Sequence, residues 1–378
     1  MLAAACGQIL GLDNIDYEAG DGGTTSAPVS DATTAEDALG SPVGADGSAA
    51  DQSSGDDAPG TSSDAGTEAG DALVPPVTIA SAPGTWGAAL GVAVDLTRVY
   101  WVTSEGYVLS APKDGGPTTT IATGQSEPLD VAMLGSTLYW SVVPPGTGPQ
   151  CMVETASTAG GGADAAVTCI CTAAVTTVRM TLGAGSVVFL AKGTGASVNN
   201  EYVGFSSAGG FTNVQTQGPS SAITATTTQG FLGNGNGFHI DELGFPALTY
   251  GSAECTSSCG GTTIVDMALD AAEQNILWVT QGGGVHTIPI HVNGAVGAQF
   301  VVLPATPQRM ARDASYIYVT AGSSSVYAVP IAQAPDAGTF LTLANSETSP
   351  FGIAVDDTNL YWGNADGTIR RTSVPTPP

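Results

Sequence analysis

Seven copies of one short unit, about 43 residues apart and built from apolar residues that alternate with a period of two, predict an all-β fold, a seven-bladed β-propeller. Two further observations complete this reading. The last copy stops one strand short, while a matching strand lies ahead of the first copy. The residues before that strand are acidic and nearly free of large apolar side chains, which predicts a disordered tail. The expected organisation is a tail over residues 1–75 and a propeller domain over residues 76–378.

The unit runs as an apolar alternation ending in Asp or a turn residue, an apolar pair that usually contains an aromatic, a Gly-rich turn, and a further alternating strand. Its clearest copies are Gly91-Val92-Ala93-Val94-Asp95 with Val99-Tyr100-Trp101, and Gly352-Ile353-Ala354-Val355-Asp356 with Leu360-Tyr361-Trp362. Val131-Ala132-Met133 with Leu138-Tyr139-Trp140, Met267-Ala268-Leu269-Asp270 with Ile276-Leu277-Trp278, and Met310-Ala311-Arg312-Asp313 with Ile317-Tyr318-Val319 follow the same plan. Two weaker copies fill the middle, Met180-Thr181-Leu182 with Val187-Val188-Phe189 and Ile223-Thr224-Ala225 with Gly230-Phe231-Leu232. Helical solenoids have similar periods, but they require apolar spacing of 3.6 rather than 2. Each copy reads as four strands, in the first case over residues 92–94, 99–103, 107–111 and 118–122. The last copy supplies three, ending at Thr368-Ile369-Arg370-Arg371-Thr372. Val77-Thr78-Ile79-Ala80, which matches Thr119-Thr120-Ile121-Ala122, is expected to provide the fourth and so to remove two exposed sheet edges at once.

With Tyr100-Trp101-Val102-Thr103 and Tyr361-Trp362-Gly363-Asn364 each following an Ala-Val-Asp turn, the repeats over residues 77–373 resemble those of the YWTD and NHL propellers. Each of these stretches matches part of the Tyr-Trp-Thr-Asp motif. Those families often have six blades, so a six-bladed ring is the alternative that the resemblance implies.

Charge narrows the range of partners. Of 34 acidic and 8 basic residues, the first 75 positions hold 14 acidic and no basic ones, so both parts of the chain are acidic. Neither part can neutralise a phosphate backbone, which excludes nucleic acid and anionic membrane surfaces as partners. Charged residues make up only 11% of the chain, with many Gly, Ala, Ser and Thr, and this surface suggests export. The six cysteines agree: Cys255 and Cys259 flank a short turn-like stretch and are expected to form a local disulfide, and Cys151 is expected to pair with Cys169 or Cys171. Met1-Leu2-Ala3-Ala4-Ala5-Cys6-Gly7 resembles the end of a bacterial lipoprotein signal peptide, with Cys6 as the lipidated residue, although Leu2 stands four residues before Cys6 rather than three. Residues 19–72 would then be an extended, self-repelling tether, and the membrane would be reached through the lipid alone. The protein is expected in the bacterial cell envelope, lipid-anchored or periplasmic, or outside the cell, as a monomer.

The recurrent Asp95, Asp270, Asp313 and Asp356 stand where one strand turns into the next, and repetition assigns them to turn structure, accepting backbone N–H bonds. Trp101, Trp140, Trp278 and Trp362 repeat in the same way and are expected to pack between blades. The three histidines, His239, His286 and His291, fit no zinc or nucleophile motif, and no cofactor or metal is expected. Alternation places His239 and Asp241 on one outward strand face. Ligand recognition in a propeller falls at the mouth of the central channel, where inner strands begin, and there the candidates are Glu127, Asp130, Arg179, Arg309 and Glu347. The expected function is that of a non-enzymatic binding or scaffold propeller whose partner is a protein, peptide or glycan. The alternative is an exported lyase or hydrolase-type propeller with chemistry at the channel mouth.

Overall fold

The computed structural model describes residues 74–81, 86–143, 150–158, 164–170, 175–183, 186–193, 201–205, 210–214, 220–234, 240–244, 249–250, 262–291, 297–333 and 337–377. By its contacts the chain divides into Met1–Gly70 and Asp71–Pro378, and every described residue belongs to the second unit.

Among the described residues the strands form seven sheets of four antiparallel strands each. The first sheet consists of Ala89–Val94, Arg98–Thr103, Val108–Pro112 and Thr119–Ala122, paired in chain order. Five more sheets repeat that meander over residues 131–170, 175–214, 220–250, 264–302 and 307–344. The seventh contains Pro350–Val355, Asn359–Asn364 and Thr368–Ser373, with Val77–Ser81 as its outer strand. The first strand of each sheet lies against the first strand of the next, and Pro350–Val355 lies against Ala89–Val94, so the inner strands form a continuous ring.

One register recurs in all seven sheets. Val92 pairs with Trp101, Val131 with Trp140, Met180 with Phe189, Ile223 with Leu232, Met267 with Trp278, Met310 with Val319 and Ile353 with Trp362. The two weak copies, over residues 175–193 and 220–234, therefore fold on the same plan as the strong ones. A sheet packed on both faces needs an apolar side chain at nearly every position of its central strands, which is why these read as continuous apolar runs. Trp101, Trp140, Trp278 and Trp362 are fully buried, as their repetition predicts. Truncating one of them to Ala would cost roughly 3–5 kcal/mol.

The recurrent Asp has a definite task. Asp95 Oδ1 accepts the N–H groups of Thr97 and Arg98, both at 2.7 Å, while its Oδ2 accepts the Tyr100 hydroxyl at 2.7 Å. Asp313 holds Ser315, Tyr316 and the Tyr318 hydroxyl in the same way, and Asp356 holds Thr358, Asn359 and the Tyr361 hydroxyl. One carboxylate thus fixes both a turn and the aromatic that follows it five residues on. Burial and the neighbouring carboxylate push the Tyr100 hydroxyl up to about 12, so it remains a donor throughout the physiological range. Asp270 closes a longer turn through Gln274 and Asn275, with Glu273 at φ 53°.

Closure falls on Val77–Ser81, the strand that the sequence predicts there. Val77 pairs with Arg371 and Thr78 with Arg370, and after a bulge Ala80 pairs with Ile369 and Ser81 with Thr368. Arg370 donates to Thr78 Oγ1 at 2.6 Å and to the Pro76 carbonyl at 3.1 Å, and the Thr372 hydroxyl donates to the Val74 carbonyl at 2.7 Å. Ile79 and Ala80 are buried in a cluster with Trp101, Leu109, Tyr361 and Ile369, so the strand ties the last sheet to the first. The Lys113 ammonium, 2.7 Å from Asp356 Oδ2, spans the same junction. Deleting residues 1–73 is expected to leave the thermal midpoint nearly unchanged. Deleting residues 1–82 is expected to lower stability by several kcal/mol, through the lost strand pairing and buried side chains. Midpoints of the two truncations in one buffer check this, and equal values for two monomeric proteins would contradict it.

Candidate functional site

Superposing the repeats on their shared register brings seven residues to one level of the channel, each standing just before the paired apolar residue of its inner strand. They are Gly91, Asp130, Arg179, Ala222, Asp266, Arg309 and Gly352. Four of the seven are charged, with the two signs alternating in chain order. The inner strand starts with a register shift in six of the seven sheets, for example between Ile264 and Asp266 and between Pro307 and Arg309. Such bulges re-aim side chains. Glycine is required at two of the uncharged positions: a Cβ on Gly91 would lie 2.8 Å from the Asp130 Cα, and one on Gly352 would lie 1.6 Å from the Leu90 carbonyl oxygen.

The two carboxylates are committed to the fold. Asp130 Oδ2 accepts the Met180 N–H at 3.1 Å, bridging the second sheet to the third. Asp266 Oδ2 accepts the Met310 N–H at 2.9 Å, bridging the fifth to the sixth, and its Oδ1 accepts the N–H of Met267 at 3.0 Å. Burial raises the Asp266 carboxyl above its ordinary range, while Arg309, Arg179 and the Met310 N–H act in the other direction.

The two guanidinium groups are placed differently. Arg309, only 6% exposed, reaches across from the sixth sheet so that its Nη2 lies 3.4 Å from Asp130 Oδ1 of the second sheet, and its Nη1 lies 3.9 Å from Asp266 Oδ2. The Phe351 ring lies 5.3 Å from its guanidinium carbon, a cation–π contact. Arg309 Nε and Nη2, like Arg179 Nε and Nη1, are buried and donate no hydrogen bond. Burial and the like charge of Arg309 pull Arg179 down to about 10, opposed by Asp130 and Asp266, which leaves it charged at neutral pH. A buried donor without an acceptor costs about 1–3 kcal/mol, more when charged, so Arg179 Nε and Nη1 and Arg309 Nε, beside an Nη2 held only by its ion pair to Asp130, mark a place with donors to spare. Beyond this level the channel opens into a cavity of about 560 Å³ walled by the inner strands.

Of the five candidates read from the sequence, Asp130, Arg179 and Arg309 thus converge. Glu127 is exposed, in a left-handed turn at φ 43°. Glu347 lies between sheets: its Oε2 accepts from Trp362 Nε1 at 3.1 Å and Asn364 Nδ2 at 2.7 Å, with Arg370 Nε at 3.3 Å. Gln125 receives Trp140 Nε1 in the equivalent place at 2.7 Å. Asp266 was not among the candidates, yet it stands before Met267-Ala268-Leu269 as Asp130 stands before Val131-Ala132-Met133, so aligning the copies finds it. His286 is buried and stacks on Trp278 with ring centroids 5.2 Å apart, and burial lowers it to about 4, so it is neutral at pH 7. His291 is an exposed residue beside Gln229 and Glu242, at φ 61°. The backbone of Cys151 pairs with that of Cys169, while Cys6, Cys171, His239, Cys255 and Cys259 lie outside the described residues. Among the described residues no group of three metal-ligating side chains is found.

No protein-family model matches this chain, and no curated protein is significantly similar to it. Solved structures are similar in fold. The WD40 β-propeller domain of Doa1 has a TM-score of 0.60 at 12% identity, with 79% of this chain and 97% of that one covered. A catalytically inactive virginiamycin B lyase from Staphylococcus aureus, with quinupristin, gives 0.59 at 11% identity over 79% and 99%. YCF48 from Cyanidioschyzon merolae gives 0.56 at 12% over 79% and 98%. This likeness is one of fold, and it defines the domain as a β-propeller.

Because the carboxylates hold backbone N–H groups as well as facing the guanidinium groups, while Arg309 holds only its ion pairs, the two kinds of residue should respond differently to substitution. Asp266→Ala strips two N–H groups of their acceptor and leaves two arginines facing one acid, and it is expected to cost about 3–5 kcal/mol. Arg309→Met leaves both carboxylates on their N–H partners but facing Arg179 alone, and is expected to cost less than Asp266→Ala, about 1–3 kcal/mol. Urea unfolding of the two variants measures the contrast, and an equal loss in both would contradict it.

Proposed function

We propose that this protein is an exported, non-enzymatic binding or scaffold propeller with seven blades of the YWTD/NHL type. In this reading Cys6 carries a lipid and the acidic tail spaces a monomeric domain from the envelope. The partner, a protein, peptide or glycan, is engaged at the channel end formed by Asp130, Arg179, Asp266 and Arg309. The observation that carries the proposal is the set of buried guanidinium N–H groups of Arg179 and Arg309 that donate no hydrogen bond. They are donors held beside a pocket, and a few convergent polar groups are what orients a ligand in its site. A lyase or hydrolase reading needs a free acid or base at the same place. Both carboxylates there are already engaged by backbone N–H groups and lie beside guanidinium groups.

Peptide and glycan arrays probed with the full chain and with its Arg309→Met variant test this reading. The expected result is a set of binders that the variant loses by tenfold or more, with none turned over. Binders held equally by both proteins, or chemical conversion of what is bound, would contradict it.

A further inference from the structure

The wall of the channel is made chiefly of main chain. Each inner strand is hydrogen-bonded to its sheet on one side only, so its other edge faces the channel axis. The N–H groups of Asp95, Asp313 and Asp356 bond the carbonyls of Arg98, Tyr316 and Asn359, and antiparallel pairing alternates from there. The peptide groups of Val92, Met310 and Ile353, and those two residues further on, therefore point away from the sheet and into the channel. The N–H groups of Met180 and Met310 agree, since they reach Asp130 and Asp266 of other sheets. The side chains at this position lie between sheets instead, with Met267, Met310 and Ile353 8% exposed or less. The alternate residues that reach the cavity are small, among them Ala93, Ala268, Ala311 and Ala354, so its wall is polar on balance, with N–H and C=O groups all round. One end of the channel is barred: Arg309 of the sixth sheet crosses to Asp130 of the second, with Asp266 beside it. The other end, where inner strands turn back, carries Arg312 and Glu273 on the cavity wall. Among the described residues neither of these two side chains has a hydrogen bond or an ion pair.

From this juxtaposition we infer that the channel takes a neutral, compact polyhydroxyl compound, a free sugar or the terminal sugar of a glycan, which enters between Arg312 and Glu273 and is held by the main-chain edges. The inference rests on the binding reading above and specifies the ligand's chemistry. A hydroxyl both donates and accepts, so it pairs with whichever peptide group it meets, N–H or C=O. A carboxylate only accepts and an ammonium only donates. Either would also bring an uncompensated charge to a place where the formal charges of Asp130, Arg179, Asp266 and Arg309 already cancel, and burying such a charge is costly. An extended peptide carries its own N–H and C=O groups on two edges, whereas the channel presents seven edges round one axis, so most of them would find no partner in it. At the mouth, Arg312 can donate to two neighbouring oxygens and Glu273 can accept from two neighbouring hydroxyls, which suits the vicinal hydroxyls of a sugar ring. The barred end keeps a chain from threading through, so a glycan can offer its last unit alone. A cavity of about 560 Å³ falls within the range of small-ligand sites, roughly 300–1,000 Å³.

Calorimetric titration of the full chain with D-glucose, D-galactose and D-mannose tests the assignment. At least one of the three is expected to bind, one per chain. The matching uronate and 2-amino sugar, cyclohexanol and trialanine are each expected to bind at least tenfold more weakly, since each adds a charge or lacks the array of hydroxyls. Ala268→Leu, which narrows the channel, should weaken the sugar at least tenfold, and Arg312→Met and Glu273→Ala should each weaken it severalfold. Maltotriose, galactotriose and mannotriose distinguish the two sources: a trisaccharide bound more tightly than its monosaccharide marks a glycan end, and one bound more weakly marks a free sugar. No binding of any of the three sugars, or a uronate, an amino sugar or trialanine bound as tightly as the sugar, overturns the proposal without recourse to a variant. An unchanged sugar affinity in a folded Ala268→Leu protein overturns it as well. Array binders that remain sensitive to Arg309→Met while none of the three sugars binds would sink this inference and leave the binding reading in place.

Discussion

Everything in this domain depends on ring closure. Its sheets are apolar on both faces, so each face must be covered by the neighbouring sheet, and a row of such sheets has no stable end except its own beginning. The chain meets the requirement by giving the last sheet its outer strand from the front of the domain, Val77–Ser81 against Thr368–Ser373. The tie is made of backbone pairing, the Arg370 contacts to Thr78 and Pro76, and the burial of Ile79 and Ala80 beside Trp101. Gly91 and Gly352 allow the first, second and last sheets to approach closely at the channel. Without closure there is no channel, and without the channel Asp130 of the second sheet and Arg309 of the sixth do not meet.

Much of this was legible in the sequence because repetition converts weak local signals into a strong one. A single Ala-Val-Asp followed by Tyr-Trp says little, but recurrence near one period fixes strand, turn and aromatic together, and the hydrogen bonds of Asp95, Asp313 and Asp356 to their Tyr partners show why the two ends of the motif travel together. Copies with no aromatic at the inner-strand partner position, such as Ile223 opposite Leu232, still keep the register, because pairing depends on alternation rather than on residue identity.

The site was less legible, for two physical reasons. Position along the chain tells how near a residue lies to the start of an inner strand, but not which way its side chain turns. Glu347 lies close to such a start and yet faces its neighbouring sheet, satisfying Trp362 and Asn364. Asp266 had the opposite fate: one residue before an apolar triplet it resembles an ordinary loop charge until it is aligned with Asp130, Arg179 and Arg309. In a closed ring the informative comparison is between copies at one level, since that level is what comes together in space. The outcome is a division of labour, with acids that bond the sheets to one another and bases that face those acids while keeping buried N–H groups that donate no hydrogen bond.

The most direct test of the central claim is a side-chain nuclear magnetic resonance spectrum. The chain has six arginines, Arg98, Arg179, Arg309, Arg312, Arg370 and Arg371, so the Nε–H region is simple enough to assign by single substitutions. Buried donors should give Arg179 and Arg309 slowly exchanging Nε–H signals, and a binder found on the peptide or glycan arrays should move both while leaving Arg98, Arg370 and Arg371 in place. Signals from Arg179 and Arg309 that ignore that binder, or shifts confined to the outer arginines, would contradict the account.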